Sequence, residues 1–576
     1  MPAADSKGKN EMKKTGEKYI AAIEAAAIFA IMAAMYYLNR FWFENNDDII
    51  ISGLLSGSLA GTEQWRIYQY DHVILSFLMS VLYRAIPAVP WYGSLLVLLH
   101  FLAGFLPLNA INSMVRDKKM YLITFPVWCS LFAAFWHLHS RIQYTSTAEM
   151  AALVGFVCFC FYENRKKAVG AFLFFEIFAF LLRPNAMELM APVGLTVLLL
   201  RFGRDKESGR RFKTLFSGAA ICVLIVLIGT LITKVEYADR EYREADAENT
   251  ARMQMFDYAG CPEYEEVEDI LSEYDISKEK YYAFRHYLIL DWDNSEGVLA
   301  KIADRSASNV IKPFIAGEIL LGIGKLTLKN SFTFLPFLIA LSWILAIIAV
   351  FLYKRFEGFM ILLFYLAMKC VSWGYVVYNG RMPSRVVTPL IYAECVVVLS
   401  VFLWIVLTSN RSEVKALTFV RPGAVLVSVC ATVLLSGLCM KEQYRSLSAE
   451  RNTEILINEA YGQLKDYCNN DRDHIYILPS ESYTYLRRSV FETDKQDNNF
   501  IFTGGWYSLL PDALRHVDEY LSQDKGCFFL MPESTQDFVK EIKLGYLEEY
   551  FGTEPELTDS LVLATGENYS VYRVRQ

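Results

Sequence analysis

Charge is scarce in this chain. Of 576 residues only 21% are Asp, Glu, Lys or Arg, against 54% hydrophobic and 15% aromatic. A chain of this length that lives wholly in water usually carries more charge, so the composition points away from a soluble protein. Histidine is scarcer still, at seven residues. The 11 cysteines fall mostly inside apolar runs (Cys158, Cys160, Cys222, Cys370, Cys430), with no CxxC pair and no Cys/His metal spacing. Three others, Cys261, Cys468 and Cys527, lie in hydrophilic stretches, where they could pair or remain thiols. There is no broad basic face, and the net charge is −7, which argues against nucleic acid as a partner. Phosphate-cradling Walker loops, zinc motifs and GxSxG nucleophile elbows are all missing. Gly53, Gly57 and Gly61, spaced by four, suit tight helix packing or a bent loop rather than a phosphate cradle. No repeat or low-complexity tract stands out.

What the chain has in abundance is apolar runs of about 20 residues, the length that crosses a ~30 Å hydrocarbon core. They lie near 18–43, 71–87, 91–114, 119–138, 143–162, 167–183, 186–203, 213–234, 332–354, 357–378, 386–408 and 418–440. The first 17 residues are polar and lysine-bearing, and the long run behind them reads as a start-anchor rather than a cleaved signal.

Lys and Arg in the short loops set the orientation. Lys13, Lys14 and Lys18, then Arg116 to Lys119, Arg165 to Lys167, Arg201 to Lys213, Lys354 with Arg355, and Arg411 with Lys415 should all be cytoplasmic. Counting every apolar run as a span breaks that pattern. The run 71–87 is the weakest candidate, only about 17 residues long and marked at its ends by Asp71, His72 and Arg84, so it reads as a helix lying at or dipping into the outer interface. The expected fold is therefore a polytopic α-helical membrane protein with about 11 transmembrane helices and the N-terminus inside. Its parts are a cytoplasmic tail (1–17), a seven-span module (18–234) with outer loop 44–90, a helical extracytoplasmic loop (235–331), four further spans (332–440) and a small extracytoplasmic α/β domain (441–576). In that last part 474–479, 527–531 and 569–574 read as strands, and 511–523 and 535–550 as helices.

Three groups of residues could carry chemistry on the outer side. The first is the loop after span one, Glu44-Asn45-Asn46-Asp47-Asp48, which sets two adjacent carboxylates at the membrane surface. There one can accept a proton from a polar acceptor, or the pair can simply begin a helix. The second is arginine at outer span ends: Arg183 before Pro184, Arg141 after His137 and His139, and Arg381 with Arg385 in a segment pinned by Pro383 and Pro389. Arginine grips phosphate through a two-pronged fork and keeps its charge, although a single arginine at a span end commonly just snorkels. His137 and His139 read as hydrogen-bonding interfacial residues rather than metal ligands. The third is charge within spans, Glu149, Glu176, Glu188, Lys369 and Glu394, which seeks a polar cavity or a partner. Glu149 and Glu188 lie near outer ends and could line a cavity with the arginines, while Glu176 and Lys369 are candidates to pair.

Taken together, these features resemble the GT-C superfamily of membrane glycosyltransferases, which includes protein O-mannosyltransferases, oligosaccharyltransferases and aminoarabinose transferases. Members have a seven-span module, an acidic motif in a large loop just after span one, juxtamembrane helices, and a second large outer loop after span seven. Here Asp47-Asp48 stands at the acidic motif, where the family usually shows Asp-Glu or Glu-x-Asp. The run 71–87 stands at a juxtamembrane helix, and the second loop opens near 234. The match spans about residues 18–440. The segment from Arg381 to Arg385 and the soluble parts are similar to those of uncharacterised Gram-positive bacterial membrane proteins.

The resemblance implies a sugar moved from a polyprenyl-phosphate carrier to a glycan, polymer or protein acceptor outside the cell membrane. It implies Asp47 or Asp48 as general base; Arg141, Arg183, Arg381, Arg385, Glu149 and His139, read from their own chemistry and position, are the candidates to line the substrate site. No cofactor motif is present, and a divalent cation is left open. The rival readings are a transporter or flippase for a lipid-linked saccharide, and a non-catalytic envelope-assembly protein that docks through its outer domain.

Overall fold

The computed structural model describes residues 3–59, 72–115, 118–204, 208–307, 316–328, 332–380, 382–409, 420–493 and 498–575. The apolar runs form helices because a backbone inside hydrocarbon must satisfy its own hydrogen bonds. α1 (Ala3–Asn39) is apolar from Lys18 onward. The chain leaves it through Arg40, held in the left-handed region at φ 58°, into β1 (Trp42–Phe43). α2 (Asn46–Ser56), α3 (Val73–Ala85), α4 (Trp91–Ser113), α5 (Tyr121–Ala134) and the short α6 (Trp136–Ser140) lead to β2 (Arg141–Ile142). α7 (Tyr144–Phe161), α8 (Arg165–Leu182), α9 (Pro184–Arg204) and α10 (Ser208–Glu236) follow.

Five shorter helices come next: α11 (Arg240–Gln254), α12 (Tyr264–Glu273), α13 (Lys278–Arg285), α14 (Val298–Ala307) and α15 (Ala316–Leu328). Then come α16 (Leu335–Leu352), α17 (Phe356–Tyr378), α18 (Ser384–Thr408) and α19 (Val420–Asn470).

Among the described residues nine helices are long and apolar enough to cross a membrane: parts or all of α1, α4, α7, α9, α10, α16, α17, α18 and α19. α8 has the length but begins with three basic residues. α5 is cut to 14 residues, with Pro126 inside it. α3 is about 20 Å long, too short for a ~30 Å core.

The packing fits a lipid solvent. α7 is wholly buried and α18 nearly so, and they form the axis of the bundle. Peripheral helices instead expose apolar side chains, such as Leu224, Leu227 and Leu231 of α10 and Val427 and Leu434 of α19. Lipid tails are as apolar as leucine, so such exposure costs nothing in a bilayer.

Two expectations change. Lys369 does not pair with Glu176. Its Nζ lies 2.7 Å from Glu394 Oε2, and Glu394 Oε1 accepts from Trp343 Nε1 at 3.0 Å. The reason is helix neighbourhood: α17 packs on α16 and α18, whereas Glu176 of α8 faces α7 beside Gly155. Nor is there a break at 440. α19 runs through it as one 51-residue helix, about 75 Å long, carrying the chain from the bundle into the C-terminal domain. Lys441, Glu442 and Gln443 interrupt the hydropathy but are all good helix formers.

The segment after α10 has its own apolar core around Val267, Leu271, Phe284, Trp292 and Leu299, closed by Leu509 of the C-terminal domain. That domain is a five-stranded sheet with order β4-β3-β5-β7-β6. β3 (His474–Pro479) runs parallel to β4 (Ile501–Thr503) and β5 (Gly526–Pro532). β7 (Asn568–Arg575) runs antiparallel to β5 and β6 (Glu556–Val562). α20 (Pro511–Leu521) and α21 (Asp537–Phe551) supply the helices. None of the eleven cysteines is in a disulfide, Cys261, Cys468 and Cys527 included.

Candidate functional site at the α1–α2 junction

The site is organised by two very short strands. Trp42 and Phe43 of β1 pair in parallel with Arg141 and Ile142 of β2, and the Glu44 amide continues the ladder to the Ile142 carbonyl at 2.9 Å. Segments almost a hundred residues apart are thereby locked together. On the other side of β1 the Phe43 amide donates to the Arg488 carbonyl and the Val490 amide to the Phe41 carbonyl, which adds a loop of the C-terminal domain. Gly93 of α4 lets that loop approach: a Cβ there would sit 2.0 Å from the Val490 carbonyl oxygen.

The acidic pair divides into two roles. Both residues lie in the first turn of α2, behind the N-cap Asn45, where a carboxylate meets the positive end of the helix. Asp48 is fully buried, and its Oδ1 accepts from the Tyr92 hydroxyl and the Tyr144 amide, each at 3.0 Å. It thereby ties α2 to α4 and to the first residue of α7. Asp47 is partly exposed and, among the described residues, accepts only a long 3.3 Å bond from Asn45 Nδ2.

The arginines also separate. Arg141 is 5% exposed, and its guanidinium lies 2.6 Å from Glu450 and 3.5 Å from Glu454 of α19, so it anchors that helix to β2. Arg488 adds to the same cluster at 3.6 Å from Glu454. Arg183, at the end of α8, stacks over the Tyr144 ring at 5.6 Å. It also acts electrostatically on Glu149, which is buried one turn further along α7. Arg385 stands in the first turn of α18, half-buried, and has no ion-pair partner within 4 Å among the described residues. Arg381 lies outside the described residues.

A carboxyl that sequence reasoning passed over sits among them. Glu44 is half-buried and accepts from Ser384 Oγ at 2.6 Å, next to Arg385. Desolvation pushes its carboxyl above the usual range, opposed by the Ser384 hydrogen bond and the charges of Arg385 and Arg141. The signal was present as a third acidic residue three positions before Asp47. The ladder that turns it toward α18 was not visible in the sequence.

His139 is fully buried, stacked on Phe132 at 3.9 Å, with its Nδ1 2.9 Å from His100 Nδ1. Thr147 donates to the Gln143 carbonyl at 2.7 Å and so accepts from His100 Nε2 at 3.0 Å. His100 therefore carries its proton on Nε2 and accepts at Nδ1 from His139. The pair braces the start of α7 beneath Tyr144. Among the described residues no three or more His, Cys, Asp or Glu side chains group in a way that could hold a metal ion.

A narrow cleft of about 30 Å³, room for little more than one water molecule, runs between α2 and the C-terminal domain, and neither Asp47 nor Asp48 lines it. Ile49, Ser52, Gly53 and Ser56 form its α2 wall, and Tyr461, Arg487, Ser489 and Glu492 its other wall. Ser52 lies one helical turn beyond Asp48.

No family model matches the chain, and no curated protein matches it. Among solved structures, ArnT from Cupriavidus metallidurans bound to undecaprenyl phosphate aligns with a TM-score of 0.47 and 11% identity over 96% of this chain and 97% of that one. The apo state of the same protein gives 0.48 and 11% over 97% and 98%. A likeness of this degree transfers neither residues nor chemistry.

Proposed function

We propose that the protein is a membrane glycosyltransferase that moves a sugar from a polyprenyl-phosphate carrier to an acceptor hydroxyl on the outer face. One observation carries the reading. Segments far apart in sequence (44–48, 141–144, 183 and 384–385) meet at one end of the helical bundle, under the C-terminal domain. The positive-inside pattern of the basic short loops supports reading that end as the outer one.

The division of labour follows from the contacts. Asp47, with its accessible carboxylate, takes the proton from the acceptor hydroxyl as that oxygen attacks the anomeric carbon. The bond from that carbon to the phosphate oxygen breaks, the configuration inverts, and the electron pair leaves on the polyprenyl phosphate. Asp48 positions Asp47 through Tyr92 and Tyr144. Arg183 and Arg385 receive the phosphate as its charge grows, while Arg141 serves the anchoring of α19. His139 and Glu149 act from beneath, through the start of α7, and touch no substrate.

The test is transfer of labelled sugar from a polyprenyl-phosphate donor by purified protein. Wild type should release free polyprenyl phosphate in step with sugar transferred, and Asp47→Asn should lose the reaction. Sustained turnover in Asp47→Asn would remove the base assignment, and no turnover with any carrier would remove the function.

A further inference from the structure

Glu44 is placed as though it were a substrate. Its carboxylate accepts from Ser384 Oγ at 2.6 Å, at the first residue of the 25-residue helix α18, with Arg385 beside it. A hydroxyl, an arginine with no ion-pair partner among the described residues and a helix N-terminus make a seat for one negative group. We infer that Ser384, Arg385 and the first turn of α18 form the seat of the donor's phosphodiester, and that the Glu44 side chain occupies this seat until the donor displaces it.

The inference rests on the donor reading above and adds what that reading lacks: the particular seat, a hydroxyl donor in it, and a competing anion built into the chain. Pro383, as N-cap, leaves the α18 terminus without a side-chain cap, so its amides are not already answered by a side chain of the same helix. Arg141 does not compete for the role, because Glu450 and Glu454 already hold its guanidinium.

Glu44 is free to leave because it is held by one hydrogen bond and by charges at a distance, and its own backbone is fixed independently by the β1–β2 ladder. The charged groups facing it are Arg385 from α18 and Arg141 from β2, with Glu450 and Glu454 of α19 and Arg488 behind Arg141, and Asp47 and Asp48 following in α2.

Protonation of Glu44 empties the seat of its counter-charge, and burial already favours the neutral form. Donor affinity should therefore rise as pH falls. The probe is a labelled polyprenyl-phosphoryl glucose, a phosphodiester that keeps one negative charge throughout. Its equilibrium binding to the full-length protein in nanodiscs is measured between about pH 5.5 and 8.5. Wild type should bind more tightly toward the acid end. At about pH 8 Glu44→Gln should bind roughly tenfold more tightly than wild type, with little dependence on pH. Ser384→Ala should weaken binding in both backgrounds, and Glu44→Ala should repeat the gain of Glu44→Gln.

Equal or weaker binding by both Glu44 variants would overturn the displaced-occupant account while leaving the donor reading in place. Failure of wild type to bind the donor at any pH would remove the donor reading and this inference together.

Discussion

Asp48 Oδ1 and the Tyr144 amide are joined by a 3.0 Å hydrogen bond across 96 residues of chain. A buried carboxylate of the loop after the first span thus answers the first amide of the helix at the centre of the bundle. The bond explains why two neighbouring aspartates need not do the same work. Asp48→Asn should lower stability by about 1.5–3 kcal/mol, the range for a charge-assisted hydrogen bond. Asp47→Asn should leave stability within about 0.5 kcal/mol of wild type, as a surface change does. Thermal unfolding of the two variants in one detergent separates them. Equal destabilisation would contradict the division of roles.

Arg385 and Arg141 should respond differently to removal. Arg385→Gln should raise KM for the donor and cost about 2–5 kcal/mol of transition-state stabilisation, with little change in melting. Arg141→Gln leaves Glu450 and Glu454 facing β2 without their cation, and should act first on stability. Steady-state kinetics beside melting curves distinguish the cases.

The Lys369–Glu394 pair lies between membrane helices with both partners nearly excluded from solvent. Lys369→Met alone strands a buried carboxylate and should cost about 3–5 kcal/mol, whereas Lys369→Met with Glu394→Leu should recover most of the loss. Melting of the three variants checks this, and a double variant no better than the single would contradict it.

Gly93 is the contact on which the C-terminal loop closes over α4. Gly93→Ala places a methyl against the Val490 carbonyl and should cost about 1–3 kcal/mol by overpacking. It should also loosen the loop, read as faster amide exchange over residues 486–493. Unchanged exchange there would contradict the docking role.

The bundle and the C-terminal domain were legible because each depends on local pattern. Twenty-residue apolar runs, basic short loops and period-two stretches such as His474–Pro479 read directly as elements. β4 and β6 were not legible: the first has three residues, and the second is an exposed, charged edge, Glu556 to Val562. The continuity of α19 was hidden by the fall in hydropathy after Met440, since leaving lipid changes composition without ending a helix. At the site, sequence picked out Asp47, Asp48, Arg183 and Arg385. It could not tell Arg141 as an anchor from Arg385 as a cation without a described ion-pair partner, because that turns on Glu450 and Glu454, more than 300 residues away. Glu44 escaped for the same reason, since only the pairing of two dipeptide strands turns it toward Ser384. Membrane depth alone suggests a Lys369–Glu176 pair, but depth fixes neither helix neighbours nor facing sides, and Lys369 pairs with Glu394.

The measurement that bears most directly on the account is single-turnover transfer of labelled sugar from a polyprenyl-phosphate donor in wild type, Asp47→Asn and Asp48→Asn, each reconstituted in nanodiscs. The account predicts transfer in wild type and a loss of about 10²–10⁴-fold in Asp47→Asn with donor binding retained. Asp48→Asn should show a smaller loss that tracks its reduced stability. Full-rate transfer by Asp47→Asn, or the absence of transfer by wild type with every polyprenyl-linked sugar offered, would contradict it.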